Sequence, residues 1–350
     1  MFQIFKTKSI HVILLLAVLA GCDNHNVACK PIVAAYPTWP IVDFSIEDIR
    51  WDYFTHLGVV AIYPLADGTL NTQDADGVLP ALLAAAKTNN KKVIISIGGS
   101  GEAGKGFLAL TKSAQTQQVF VREVVDYIQR YDLAGVDIDW EYWTFQNVLG
   151  KGGQDPEESR RLVNLLKALR AELPADKLLS VDIFVGDWVG RQYLPEIEQY
   201  VDYINVMAYD FTGAWPESPV GHHADFATFK RALAFTRSQG FKPEKLLVGL
   251  PTYGIEFQEG SNAAIKHWPF RDILKRLSQA NGKSDALKRG HDQDLYFETP
   301  SLIDKKAQLI QQGAYAGAMV FELTGDSLDP QTSLLRRVHQ RLQAVGCQSE

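Results

Sequence analysis

Eight short β-branched runs, ending at about Tyr36, Tyr63, Gly98, Glu141, Phe184, Tyr209, Pro251 and Phe321, constrain this chain more than any other feature. Helical patterns lie between them. Val78 to Asn90 is rich in Ala and Leu, and Thr116 to Tyr131 places Val119, Phe120, Val124, Val125 and Ile128 on one face. Asp155-Pro156-Glu157-Glu158 opens a third helix with an N-cap, an N1 proline and a capping-box glutamate. It stops before Pro174. Three more run from Asp225 to Ser238, Thr299 to Gln312 and Thr332 to Val345, each followed closely by a glycine. Strict strand and helix alternation, eight times over, specifies an α/β protein of the (β/α)8 barrel type in preference to an open sheet. The interval from Pro251 to Phe321 exceeds a normal βα unit by about 30 to 45 residues. We therefore expect a small α+β insertion over about residues 253–299, on the C-terminal rim where barrel clefts are built.

The segment Leu133-Ala134-Gly135-Val136-Asp137-Ile138-Asp139-Trp140-Glu141-Tyr142 carries the chemistry. Alternate side chains of a strand share a face, so Asp137, Asp139 and Glu141 point into the barrel while Val136, Ile138 and Trp140 meet the helices. Three carboxyls about 7 Å apart in an apolar barrel repel and desolvate one another, so at least one keeps its proton near neutral pH. A carboxylate ladder paired with bases or holding a metal is the competing reading. Inward Lys, Arg or His partners are scarce in the other strands, which disfavours it.

This segment resembles the fourth-strand signature Asp-Gly-x-Asp-x-Asp-x-Glu of glycoside hydrolase family 18, the chitinases and their relatives. Further segments resemble that family in the right order: Ser96-Ile97-Gly98-Gly99, Met207-Ala208-Tyr209-Asp210, Gly249-Leu250-Pro251-Thr252-Tyr253-Gly254 and Gly317-Ala318-Met319-Val320-Phe321-Glu322. The resemblance runs from about Ile32 to Phe321. It implies retaining, substrate-assisted hydrolysis of β-1,4-linked N-acetylglucosamine oligomers without cofactor or metal. The substrate's own 2-acetamido oxygen then replaces the protein nucleophile, an exception to the usual two-carboxylate scheme. By the same resemblance Glu141 is the general acid, Asp139 holds the acetamido N–H, Asp137 shares a proton with Asp139, and Tyr209 donates to the acetamido oxygen. Tyr36, Ser96, Gly99, Met207, Asp210, Trp215, Tyr253 and Phe321 are the implied substrate-binding residues.

The chain departs from the family pattern in places. Ala134 stands at the first Asp of the signature, Trp143 at a common Pro, and Phe321 at the Trp that usually floors the sugar site. Ser100-Gly101 follows Ser-x-Gly-Gly where long-cleft chitinases often carry a Trp, which argues against processive action on crystalline chitin. Two rival readings remain: an endo-β-N-acetylglucosaminidase acting on glycans or peptidoglycan fragments, and a silent glycan-binding relative. The intact Glu141 disfavours the second.

At the N-terminus Lys6 and Lys8 precede an apolar run from Ile10 to Ala20 and then Leu19-Ala20-Gly21-Cys22, which resembles a bacterial lipoprotein signal. The run spans roughly 16 Å as a helix, too short for a bilayer core of about 30 Å. The resemblance implies that residues 1–21 are removed and that Cys22 is lipidated, leaving residues 22–350 exported and held on a membrane. Asp23 resembles an inner-membrane retention signal, so the periplasmic face of that membrane is the expected location. Cys29 and Cys347 then remain, as a bridge between the entry of the first strand and the exit of the last helix or as two free thiols; the oxidising compartment favours the bridge.

Lys and Arg number 35 against 41 Asp and Glu, so a nucleic-acid partner is disfavoured, and a monomer is expected. Gly99 to Lys105 nearly matches a P-loop but places Gly106 where magnesium needs a hydroxyl. Adjacent His222 and His223 lack a spaced third metal ligand, so a loop role near the substrate rim is expected of them. Trp39, Trp188 and Trp268 are cleft candidates, and Asp182, in the fifth strand, has no assigned role.

Overall fold

The computed structural model describes residues 29–343 except 40, 142–155, 187–190, 216 and 280–282. The signal segment, Cys22, Trp143, Asp155, Trp188 and Cys347 therefore lie outside the described residues. Eight parallel strands close on themselves: Ile32–Pro37, His56–Pro64, Lys92–Gly99, Gly135–Trp140, Leu178–Phe184, Tyr203–Met207, Leu246–Pro251 and Gly317–Phe321. The first strand pairs with both the second and the eighth, so no barrel edge is left open. This is the expected (β/α)8 barrel.

Side-chain alternation splits the core into two clusters. Val136, Ile138 and Trp140 join the outer, helix-facing cluster, where Trp140 stacks on Phe107 with ring centroids 5.2 Å apart. Val33, Ile94, Leu247 and Met319 belong to an inner cluster that closes the barrel floor beneath the site. The α-helices Gln73–Thr88, Ala114–Tyr131, Pro156–Glu172, Phe226–Ser238, Pro300–Gln312 and Leu334–Leu342 cover the outside. Asp225 caps the helix that follows it through the N–H groups of Ala227 and Thr228, and Thr299 caps the next through Leu302.

Helix does not follow every strand. Among the described residues, only the 3-10 turns Ile46–Asp48 and Trp51–Tyr53 lie between the first and second strands, and only Pro195–Gln199 between the fifth and sixth. These are the two shortest intervals, and neither has room for a full α-helical return. The first helix also begins at Gln73, five residues before the apolar periodicity starts, because its opening turn is polar.

Residues 253–297 form a four-stranded antiparallel sheet in the order Ser261–Pro269, Tyr253–Gln258, Leu295–Phe297, His291–Asp292, with helices Phe270–Gln279 and Lys283–Arg289. Buried contacts tie this sheet to the loop after the sixth strand. His222 Nε2 lies 2.9 Å from the Phe297 carbonyl while its Nδ1 accepts the Ala224 N–H, which fixes the neutral tautomer. Lys306, fully buried, bonds both Glu298 and the Ala224 carbonyl. Asn262 donates to the carbonyls of Trp215 and Ser218.

At the barrel bottom Cys29 is disulfide-bonded. Beside it the Lys30 N–H donates to the Leu342 carbonyl and Gln343 Nε2 to the Lys30 carbonyl, so the chain's entry and last helix meet. Among the described residues no helix is long and apolar enough to cross a membrane.

Candidate active site

A cavity of about 400 Å3 opens at the C-terminal ends of the strands, within the usual range for small-molecule sites. Asp137, Asp139, Glu141, Tyr209, Ser96, Met207, Asp210, Trp215, Tyr253 and Phe321 all line it. The fourth strand aims the three carboxyls inward by simple alternation. Gly98, on the neighbouring strand, makes room for them: it has φ of +122°, and a Cβ there would fall 2.0 Å from the Asp139 carbonyl oxygen.

The structure corrects two expected contacts. Tyr36 does not line the cavity but packs in the outer cluster with Ile32 and Ala34. Val33 and Ala35 are the first-strand residues that face inward, so the alternation runs one residue out of phase with the expectation. Gly99 is likewise absent from the lining, where Ser100 reaches instead. Among the tryptophans, Trp39 is exposed beyond the cavity, and Trp268 donates to Glu256 with Lys266 and Arg276 over its ring, which makes it a packing residue.

Asp137 is 3% exposed and accepts hydrogen bonds from Ser180 Oγ (2.6 Å), Asn205 Nδ2 (2.9 Å) and Ser96 Oγ (2.9 Å), one each from the fifth, sixth and third strands. Burial raises its carboxyl above the usual range while these donors pull it back. Asp139 is hydrogen-bonded to Glu141, and its Oδ1 is buried with no hydrogen-bond partner among the described residues. Burial and then the charges of Glu141 and Asp137 push Asp139 well above its ordinary value. Burial, ahead of any neighbouring charge, raises Glu141 to about 8. An ordinary glutamate is ionised at neutral pH; this one keeps a proton to give.

The opposite side of the cavity is aromatic and aliphatic. Tyr209 and Phe321 lie nearly parallel with centroids 6.2 Å apart, and Tyr253 meets Phe321 edge-on at 6.3 Å. Burial and nearby carboxylates keep the Tyr209 phenol protonated far above its ordinary range, so it remains a hydrogen-bond donor. Asp210, in a left-handed conformation with φ of 53°, accepts from the Tyr253 hydroxyl at 2.6 Å and faces His223 Nδ1 at 2.9 Å. Burial alone would raise Asp210, yet the bonds and charge of His223 and the Tyr253 hydroxyl hold it low. The other nitrogen of His223 faces the Tyr253 carbonyl at 3.3 Å, so the ring bridges Asp210 and the strand that carries Tyr253.

Sequence reasoning missed Ala35 and Asn205, placed His223 in a rim loop without its Asp210 contact, and left Asp182 unassigned although it lines the cavity. The alternation of Ser180 and Asp182 was a usable signal for the last; the histidine contact, made across a loop, had none. Among the described residues no group of three His, Cys, Asp or Glu is arranged to hold a metal ion.

Comparisons place this arrangement among known proteins. Residues 32–326 match the model of glycosyl hydrolases family 18. The chain is 27% identical to chitinase 1 of Aphanocladium album over 88% of its own length and 84% of the relative's. It is 26% identical to a chitinase-like effector of Moniliophthora roreri over 80% of its own length and 73% of the relative's. In fold it resembles a Bacteroides thetaiotaomicron chitinase with a TM-score of 0.78 at 22% identity, covering 92% of this chain and 99% of that one. A group IV chitinase of Ostrinia furnacalis, solved with allosamidin, gives 0.77 at 22% identity, covering 91% and 100%. The barrel, its inward carboxylates and the match over nearly all of the described chain agree, and the chain belongs to glycosyl hydrolase family 18.

Proposed function

We propose that this protein is a retaining hydrolase of β-1,4-linked N-acetylglucosamine oligomers, with Glu141 as general acid and the substrate's 2-acetamido oxygen as nucleophile. One observation carries the reading. Every carboxyl lining the cavity comes from the fourth, fifth or sixth strand or the loop directly after, whereas the facing first, second and eighth strands contribute Val33, Ala35, Gly58, Val60, Met319 and Phe321. An enzyme-bound glycosyl ester requires a second carboxylate across the sugar from the acid, about 5 Å away. With none on the facing wall, the substrate must supply the nucleophile. The unpartnered Asp139 Oδ1 suits the acetamido N–H, and the Tyr209 hydroxyl suits its oxygen. The chitinases among its relatives support the substrate class.

Product analysis with chitotetraose, a glycan and a muropeptide tests the proposal. Cleavage of chitotetraose with retention at the new reducing end is the expected result. Cleavage of the glycan or muropeptide alone would shift the assignment to an endo-β-N-acetylglucosaminidase, and binding without cleavage would make the chain a glycan-binding relative. The pH profile is a further check. Glu141 acts in its protonated form and its raised value is about 8, so kcat/KM should hold below that pH and fall above it. An alkaline limb near pH 5 would contradict this assignment of the acid.

We further infer that the mature chain is exported, lipid-anchored through Cys22 and bridged between Cys29 and Cys347. The disulfide at Cys29, beside the start of the last helix's exit, supports the bridge. Wild type should partition into detergent and Cys22→Ser should not, and iodoacetamide should label neither Cys29 nor Cys347 before reduction. Equal solubility of the two forms, or labelling of both thiols, would overturn the respective inference.

A further inference from the structure

We propose that Asp182 is a positioning residue for this reaction: its carboxyl keeps a proton and donates it to Asp137, which leaves Asp139 free to stay bonded to Glu141. The inference rests on the proposed function. Asp182 sits mid-strand on the same face as Ser180, opposite Asn205 in register, is 8% exposed, and lines the cavity. It is hydrogen-bonded to Asp137.

Proton counting gives the rest. An ionised carboxylate only accepts hydrogen bonds, so two carboxyls can bond each other only through a proton. The Asp137–Asp182 and Asp139–Glu141 contacts therefore require one proton each. Asp137 already accepts three hydrogen bonds from neutral donors, which stabilise its anion. Asp182 has Asn205 alone as such a neighbour, and its Oδ1 is buried with no hydrogen-bond partner among the described residues. The first proton accordingly resides on Asp182. Burial and the charges of Asp137 and Asp139 push Asp182 in the same direction.

Without Asp182, Asp137 would draw its proton from Asp139. Asp139 would then turn away from Glu141 and from the acetamido group. The ionisable groups around Asp182 are Asp137, Asp139 and Glu141 from the fourth strand, Tyr209 and Asp210 after the sixth, and Tyr193 from the connection after its own strand. No Lys, Arg or His lines the cavity among the described residues, so nothing there offers Asp137 a cationic substitute.

Two variants and two measurements test this. Asp182→Asn still donates an N–H to Asp137 without a titrating proton, so it should keep chitotetraose turnover within about threefold and leave the alkaline limb in place. Asp182→Ala removes the donor and should lose about tenfold or more in kcat with little change in KM. Infrared difference spectra of the free full-length protein, wild type minus Asp182→Asn at pH 7, should show the carbonyl band of one protonated carboxyl. A limb moved to lower pH in Asp182→Asn would mean that an ionised Asp182 had been raising Glu141, and would overturn the proposal. So would absence of the band, or equal turnover of the two variants. The infrared reading needs no catalysis: if the chain cleaves nothing, the band still decides where the proton sits. If the chain cleaves chitotetraose and the band is missing, only the role of Asp182 falls.

Discussion

Glu141→Gln should lower the turnover of chitotetraose by about 10² to 10⁴ while leaving its binding nearly unchanged. Glutamine keeps the length and planarity of the side chain and can still bond Asp139, so the cavity wall survives. What disappears is the proton that must reach the glycosidic oxygen as the bond breaks. The effect belongs on kcat because the acid strengthens its interaction only as charge builds on the leaving oxygen. Steady-state rates with calorimetric titration of the same oligomer separate the two quantities. Loss of binding in step with rate would mean that Glu141 mainly holds the sugar, and a fully active variant would remove it from the chemistry.

The second large effect concerns the substrate. Replacing the N-acetyl group of the cleaved sugar by a free amine should abolish hydrolysis at that bond, since no acyl oxygen remains to attack the anomeric carbon. A thiazoline mimic of the cyclised intermediate should bind far more tightly than the parent sugar, because it resembles the species the site stabilises. Asp139→Asn should reduce rate without creating an alternative nucleophile: its buried Oδ1 suits the acetamido N–H, and an amide in its place can present the wrong group. Trapping a 2-fluoro sugar on any carboxylate, or full activity on deacetylated oligomers, would refute substrate assistance.

Much of this site was legible because a strand's period of two converts spacing directly into facing. Asp137, Asp139 and Glu141 share a face at that spacing, and they line one cavity. The same rule fails when the phase is misjudged by a single residue. Tyr36 ends its β-branched run, yet Val33 and Ala35 hold the inward positions, so the aromatic ring joins the outer cluster and a methyl group faces the cavity. Asp182 was visible as a polar residue in an apolar strand. Its partners were not, because Asp137 and Asn205 reach it from adjoining strands whose register no local pattern encodes. His223 was harder still, since its contact with Asp210 depends on the path of a loop. The missing helices in the two shortest intervals were implicit in their length, which an eightfold alternation read from strand ends alone passes over.

The ties between the loop after the sixth strand and the 253–297 sheet bear on how such proteins can be recombined. His222 and Lys306 bind the loop's end to residues 297 and 298, and Asn262 clasps the stretch that carries Trp215. Loop and insertion therefore behave as a single interchangeable part. A chimera that imports the insertion of another barrel without residues 212–224 would break the His222 contact to residue 297 and release Trp215 from its Asn262 clasp. A transplant with compatible boundaries carries both segments together.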